Sequence, residues 1–174
     1  MKIKVSSQWL NHKFLCSPEY IVNHCKGRCC RGTKELVISI LPEEEPILKG
    51  LAFAICIKGG LLYPEKGNEC PFKIDNGLCL LHNINLKPFG CIISPFTINK
   101  NNTLIIRHRY SKLKCHGEGQ YSYIVFKPSL VKLFGETGYQ YILDKMKENK
   151  DFYIDISDDI LNKLKYLDNL KNAN

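Results

Sequence analysis

The stretch "CPFKIDNGLCLLHNINLKPFGCIISPF", Cys70 to Phe96, decides how this chain folds. It falls within Gly59 to Pro95, a segment dense in Gly, Pro, Asn and Cys that sustains neither a strand period nor a helix period. A segment of that kind buries little apolar surface by itself, so something other than a core has to hold it. Metal ligands are the physical alternative. Its cysteines, Cys70, Cys79 and Cys91, are joined by Cys16, Cys25, Cys29, Cys30 and Cys56 upstream and by Cys115 downstream, nine in 174 residues.

The rest of the chain narrows what those thiols are for. The opening "MKIKVSSQWLNHKF" has no apolar core segment, so no signal peptide is read. The longest apolar run, "GLAFAICIKGGLLY" from Gly50 to Tyr63, is broken by Lys58-Gly59-Gly60. It is too short for a bilayer and reads as one or two buried strands. The expectation is a cytoplasmic protein with no membrane partner, where a reducing compartment and an odd cysteine count disfavour disulfides. Metal or iron–sulfur ligation leads; inert buried thiols come second and a disulfide framework third. The formal charge of +8 invites a nucleic-acid partner, but four thiolates on Zn²⁺ leave about −2, so two such sites would bring the charge to about +4. Nucleic acid is therefore not favoured.

Spacing excludes the ordinary motifs. No cysteine pair has the two-residue spacing of a zinc knuckle. Cys25 and Cys29 begin a CxxxCxxC run, but Gly32 stands where the third cysteine is required. The ferredoxin spacings fail as well. The long-range pattern does match something. Cys29-Cys30, Cys70-Pro71-Phe72, Cys79, Lys87-Pro88, Cys91, Pro95, and Cys115 with Gly117 occur in the order that resembles the YkgJ-type cysteine-cluster family, the zinc- or iron-chelating CxxCxxCC domain. The resemblance covers roughly Phe14 to Gly119. It implies metal ligation by Cys25, Cys29, Cys30, Cys70, Cys79, Cys91 and Cys115, with zinc or an iron–sulfur cluster as cofactor. The front departs from the family pattern, since Cys25 precedes the CC pair by three residues and Cys16 lies nine positions upstream. Cys16 is taken as a ligand, Cys56 as a core thiol. Adjacent cysteines in extended chain point to opposite faces, so Cys29 and Cys30 are expected to face two metal sites, or two atoms of one cluster. His24, His82 and His116 lie beside cysteines but read as packed or solvent-facing, and His108 as a core histidine.

The fold expected is α+β: a single small domain over 1–174, its irregular cysteine-stapled part at about 14–119 and a helical packing region at about 127–174. "SPEYIVNHCKG" reads as a short helix capped by Ser17 and leaving at Gly27, and "ELVISIL", Glu35 to Leu41, as a strand. "PEEEPILKG" reads as a helical turn shortened by Pro46, with Glu43, Glu44 and Glu45 solvated at its start. "PFTINKNNTLIIRHRY" reads as a hairpin turning at Asn99-Lys100-Asn101-Asn102. Leu104, Ile106, His108 and Tyr110 share one face of its second strand. A helix through Leu130 to Ile142 is interrupted at Gly135 to Gly138, and "SDDILNKLKYLDNL" is a helix capped by Ser157, with Ile160, Leu161, Leu164 and Leu167 in one stripe.

No phosphate loop, GxSxG, HExxH or Rossmann fingerprint is present, so catalysis is left open and no catalytic residue is named. Lys26, Arg28 and Arg31 around the CC pair suit a low-pKa redox thiol and a thiolate–metal centre equally. Some members of the resembled family are linked to flagellin lysine N-methylation, which makes a metal-dependent protein-modification enzyme, or its accessory, one alternative. The other is a basic adaptor binding nucleic acid or protein through "RHRYSKLKCH", Arg107 to His116.

Overall fold

The computed structural model describes residues 1–30, 38–51, 55–63 and 70–172, with the side chain of Cys30 and those of 171 and 172 outside the description. Arg31, and residues 35–37 of the expected strand, also lie outside the described residues. In chain order the strands are β1 (Lys2–Val5), β2 (Lys13–Phe14), β3 (Ile38–Ser39), β4 (Cys56–Lys58), β5 (Leu61–Tyr63), β6 (Phe96–Ile98), β7 (Thr103–Ile106), β8 (Gln120–Tyr121) and β9 (Phe152–Asp155). The α-helices are α1 (Ser7–Leu10), α2 (Pro18–Tyr20), α3 (Glu45–Leu51), α4 (Leu80–Asn83), α5 (Phe89–Ile92), α6 (Ser122–Val125), α7 (Lys127–Glu148) and α8 (Asp158–Asn172). The architecture is α+β, and the chain forms two compact units: Met1–Ser17 with Ile92–Leu164, and Pro18–Cys91 with Lys165–Asn174.

The first unit is built on a four-stranded sheet in the order β6-β7-β1-β9. The expected hairpin forms β6 and β7, with Asn99 bridging its turn by accepting from the Asn101 and Thr103 amides. β1 runs parallel to β7, Lys4 opposite Thr103, and antiparallel to β9, Val5 opposite Phe152. Alternation explains the pairing: Ile3 and Val5 are buried while Lys2 is exposed, and Phe152 and Ile154 are buried while Tyr153 is exposed. The hairpin face ends sooner than its sequence alternation suggests. After Ile106 the chain turns into a 3-10 helix, His108–Lys112, which buries Tyr110 but leaves His108 exposed. His108 is therefore a surface residue rather than a core histidine, because period-two alternation stops applying where the strand stops.

α7 carries the expected break, with Gly135 at φ 71 and ψ 172 inside it. Leu130, Leu133, Tyr139, Ile142 and Met146 are buried along it. α8 starts at Ser157 as read: its hydroxyl accepts from the Ile160 amide at 3.3 Å, and Leu161, Leu164 and Leu167 are buried.

The second unit holds a three-stranded antiparallel sheet, β3-β5-β4, whose β4–β5 turn is Gly59-Gly60. A Cβ on Gly60 would stand 2.9 Å from Leu170 Cδ1 and 3.0 Å from the Tyr166 hydroxyl, so the turn lies under the end of α8. Ile40, Leu48, Leu62, Phe72 and Leu81 form its buried cluster. The Gly59–Pro95 segment thus buries more than its composition predicts, because Phe72 and Leu81 reach apolar partners outside it. Pro46 does not shorten α3, which continues to Leu51 behind a 3-10 turn, Pro42–Glu44. Pro46 is the second residue of the helix, where the amide it lacks has no intrahelical acceptor to lose.

Candidate functional site

Most of the cysteines lie in the second unit, on two turns. The first follows α2: a π-type turn, Ile21–Cys25, ends in the left-handed Lys26 (φ 50), whose amide donates to the Ile21 carbonyl at 2.8 Å. Gly27 is left-handed too (φ 64), and Arg28–Cys30 close into a 3-10 turn. Cys25 thus stands where the helix ends, as its sequence indicates. Cys29 and Cys30 are not in extended chain, so opposed faces do not follow for them; in a 3-10 turn neighbours are rotated by about a third of a circle.

The second turn runs from Cys70 to Cys79 and is tied at every level. Lys73 N–H donates to the Cys70 carbonyl at 3.0 Å, Gly77 N–H to Ile74 at 2.7 Å, and Ile74 N–H to Leu78 at 3.0 Å. Lys73 and Cys79 pair as an antiparallel bridge, and Leu80 N–H closes on the Phe72 carbonyl at 2.9 Å. Asn76 Oδ1 accepts from the Leu78 amide at 3.0 Å, an Asx-type turn that sets up Gly77 at φ 87. Cys70 and Cys79 are half-buried and pack on the apolar cluster.

The two turns meet at their glycines. A Cβ on Gly27 would collide with the Gly77 carbonyl, and one on Gly77 would lie 2.6 Å from Lys26 Cα. Only glycine allows that backbone approach with positive φ on both sides. Cys91 lies further along in α5, its amide on the Pro88 carbonyl at 2.9 Å. Glu44 secures that segment: one carboxylate oxygen accepts from Leu41 N–H at 2.8 Å and the other from Phe89 N–H at 2.6 Å. Glu44 is therefore a clamp on the Lys87-Pro88-Phe89 approach to Cys91, not a solvated residue of the acidic run. Its signal in the sequence is only a capping position three residues after Leu41.

Cys16 and Cys115 belong to the first unit. They lie on adjoining backbone, with Leu15 N–H donating to the Cys115 carbonyl at 2.8 Å, Phe14 bridged to His116, and Gly117 N–H on the Lys13 carbonyl at 2.9 Å. Both are half-buried. Beside them His116 Nε2 and His12 Nδ1 share a hydrogen bond of 2.8 Å. Burial, and secondarily the neighbouring His116, lower the His12 pKa. His116 is packed against Phe14, ring centroids 5.2 Å apart, as a packed histidine should be, but its hydrogen-bond partner His12 carries no sequence signal. His24 is exposed, its ring tilted against that of Tyr20 with centroids 5.1 Å apart, and His82 is exposed.

The donor chemistry, thiolate with imidazole at the margin, suits zinc or iron. Among the described residues, however, no three His, Cys, Asp or Glu side chains are gathered as an ion would need. The second unit therefore holds its cysteines on docked turns without a closed ligand shell among the described side chains. Basic residues of the "RHRYSKLKCH" segment, Arg109, Lys112 and Lys114, are exposed, with Arg109 over the Tyr110 ring at 5.0 Å. No helix among the described residues is long and apolar enough to cross a membrane. Compared with family models, curated proteins and solved structures, the chain matches none.

Proposed function

We propose that this chain is a cysteine-cluster metal-binding protein, taking zinc or iron–sulfur on thiolates drawn, in the second unit, from Cys25, Cys29, Cys30, Cys70, Cys79 and Cys91, and, in the first, from Cys16 and Cys115. The observation that carries the reading is the contact of Lys26-Gly27 with Gly77. Two left-handed glycine turns, each bearing cysteines, are pressed together with no room for a side chain between them. The contact brings the turn bearing Cys25 and Cys29 against the loop bearing Cys70 and Cys79, which supports a ligand set drawn from segments far apart in sequence.

A bound ion would supply a thiolate-stabilised centre, structural if zinc and redox-active if iron–sulfur. The chain's own residues position it. The hydrogen-bonded loop fixes Cys70 and Cys79 against the core, the Lys26 cap aims Cys25, and the Glu44 clamp holds the approach to Cys91. Because the ligand shell is not closed among the described side chains, metal uptake is coupled to local ordering.

Anaerobic purification followed by elemental analysis and a visible spectrum tests this. Stoichiometric zinc in a colourless protein, or iron with sulfide in a brown one, is the expected result. Metal-free protein from cells supplied with both metals, which also takes up neither on reduction and reconstitution, overturns the proposal.

A further inference from the structure

We infer that His12 and His116 form a zinc-binding site of their own, separate from the thiolates, in which a divalent ion replaces the proton the two imidazoles share. The pair lies within the first unit, where β2 and β8 meet. His12 Nδ1 and His116 Nε2 stand 2.8 Å apart. In such a bond one nitrogen carries the proton and the other presents its lone pair, so two imidazole donors already address one point. A Zn–N bond of 2.0–2.1 Å on a tetrahedral ion sets two ligand nitrogens about 3.3 Å apart. A parting of roughly half an ångström therefore admits the ion.

The surroundings hold the rings in that relation. Ser122 N–H donates to the His12 carbonyl at 2.7 Å, Gly117 N–H donates to the Lys13 carbonyl at 2.9 Å, and Phe14 bridges His116. Trp9 lies 5.0 Å from the His12 ring and Phe14 5.2 Å from that of His116, apolar walls that restrict ring rotation. Both imidazoles are half-buried, which leaves solvent able to complete the coordination. No third His, Cys, Asp or Glu is grouped with them among the described residues. The site is accordingly weaker than a four-ligand structural zinc site, and it suits a regulatory or transiently held ion. The exchange balances by tautomerisation: one Zn²⁺ enters, and the ring that donates the shared proton carries it instead on its other nitrogen, so both ligands stay neutral imidazoles and no net proton is released.

The test uses the full chain as purified, ¹⁵N-labelled, with whatever metal its cysteines carry, titrated with zinc chloride. Long-range ¹H–¹⁵N imidazole spectra should show His12 Nδ1 and His116 Nε2 moving together and saturating at one equivalent. His24, His82 and His108 should stay unmoved. His12→Gln and His116→Gln, which keep a hydrogen-bonding side chain, should each weaken zinc binding ~10-fold or more. If either variant does not fold, the wild-type spectra and the other variant decide. Absence of a paired shift under excess zinc, or unchanged affinity in a folded variant, overturns the inference. A chain whose cysteines hold no metal but whose imidazoles still shift would refute the cysteine-cluster function and leave this site standing. The reverse pattern would do the opposite.

Discussion

Gly27 and Gly77 touch backbone to backbone, each at positive φ, so that a methyl group on either would run into the other's main chain. That contact joins the turn bearing Cys25 and Cys29 to the loop bearing Cys70 and Cys79.

Replacing either glycine by alanine should separate the turns. Left-handed strain and the backbone collision together should cost about 2–4 kcal/mol, read as a lower urea midpoint with unchanged slope. Metal content per chain should fall with it. A Gly77→Ala protein with wild-type stability and full metal loading would mean that the contact positions nothing. Gly50, whose Cβ would meet nothing within 4 Å, is the control.

Chelation should lower the melting temperature by about 10 °C or more if metal closes the second unit's ligand set. Cys70→Ser should reproduce the effect and make the protein insensitive to chelator. Cys56, half-buried in β4 and outside the proposed set, should tolerate serine within about 1 kcal/mol. Equal sensitivity at Cys56 and Cys70 would indicate thiols that matter by packing alone.

Two buried serines in the first unit bind carbonyls that helices leave unsatisfied. Ser122 Oγ donates to the Leu10 carbonyl at 2.8 Å, and Ser129 Oγ donates to Ile92 at 2.6 Å, with Ser94 at 3.0 Å as a second acceptor. Alanine at either position removes the donor while the acceptors stay enclosed, a loss of about 1–3 kcal/mol. Denaturant titration of the single variants measures it, and a loss confined to a few tenths would show that water reaches these carbonyls.

Asp151 anchors the start of β9. It pairs with Lys4 at 2.8 Å and accepts from the Ser7 amide at 3.0 Å, and the Lys4 hydrogen bond, followed by that amide, lowers its pKa. A carboxyl lowered in the folded state contributes stability above its unfolded pKa and loses it as the pH falls through the folded value. Stability should therefore decline on the acid side, below the ordinary carboxylate range, and Asp151→Asn should flatten that decline. The effect is small, because both side chains are 41% exposed. Identical acid limbs for the two proteins would remove Asp151 from the account.

What the sequence made readable depended on local physics. The cap and stripe of α8, the asparagine turn of β6–β7 and the break at Gly135 each lie within one short window, and each was legible. Pro46 and His108 were misread for local reasons as well: the helix begins at the residue before the proline, and the strand ends before the histidine. β1 and β9 left little trace, since each offers only two or three alternating apolar residues and its partner lies more than a hundred positions away. The cysteines were visible as a set, but their division between the two units was not, nor was the Gly27–Gly77 contact. His12 and His116 are separated by 104 residues and meet only because β2 pairs with the β8 region.

The position of β1 between β7 and β9 has a consequence for biogenesis. As the chain leaves the ribosome, Lys2–Val5 emerges before both its neighbours, Thr103–Ile106 and Phe152–Asp155. Residues 18–91, most of the second unit, are synthesised in the interval. β1 must wait for these partners while roughly a hundred residues or more are made, and closure of long-range pairs of this kind is slow. Translation thus gives the cysteine-rich residues 18–91 a head start in folding before the sheet of the first unit is complete.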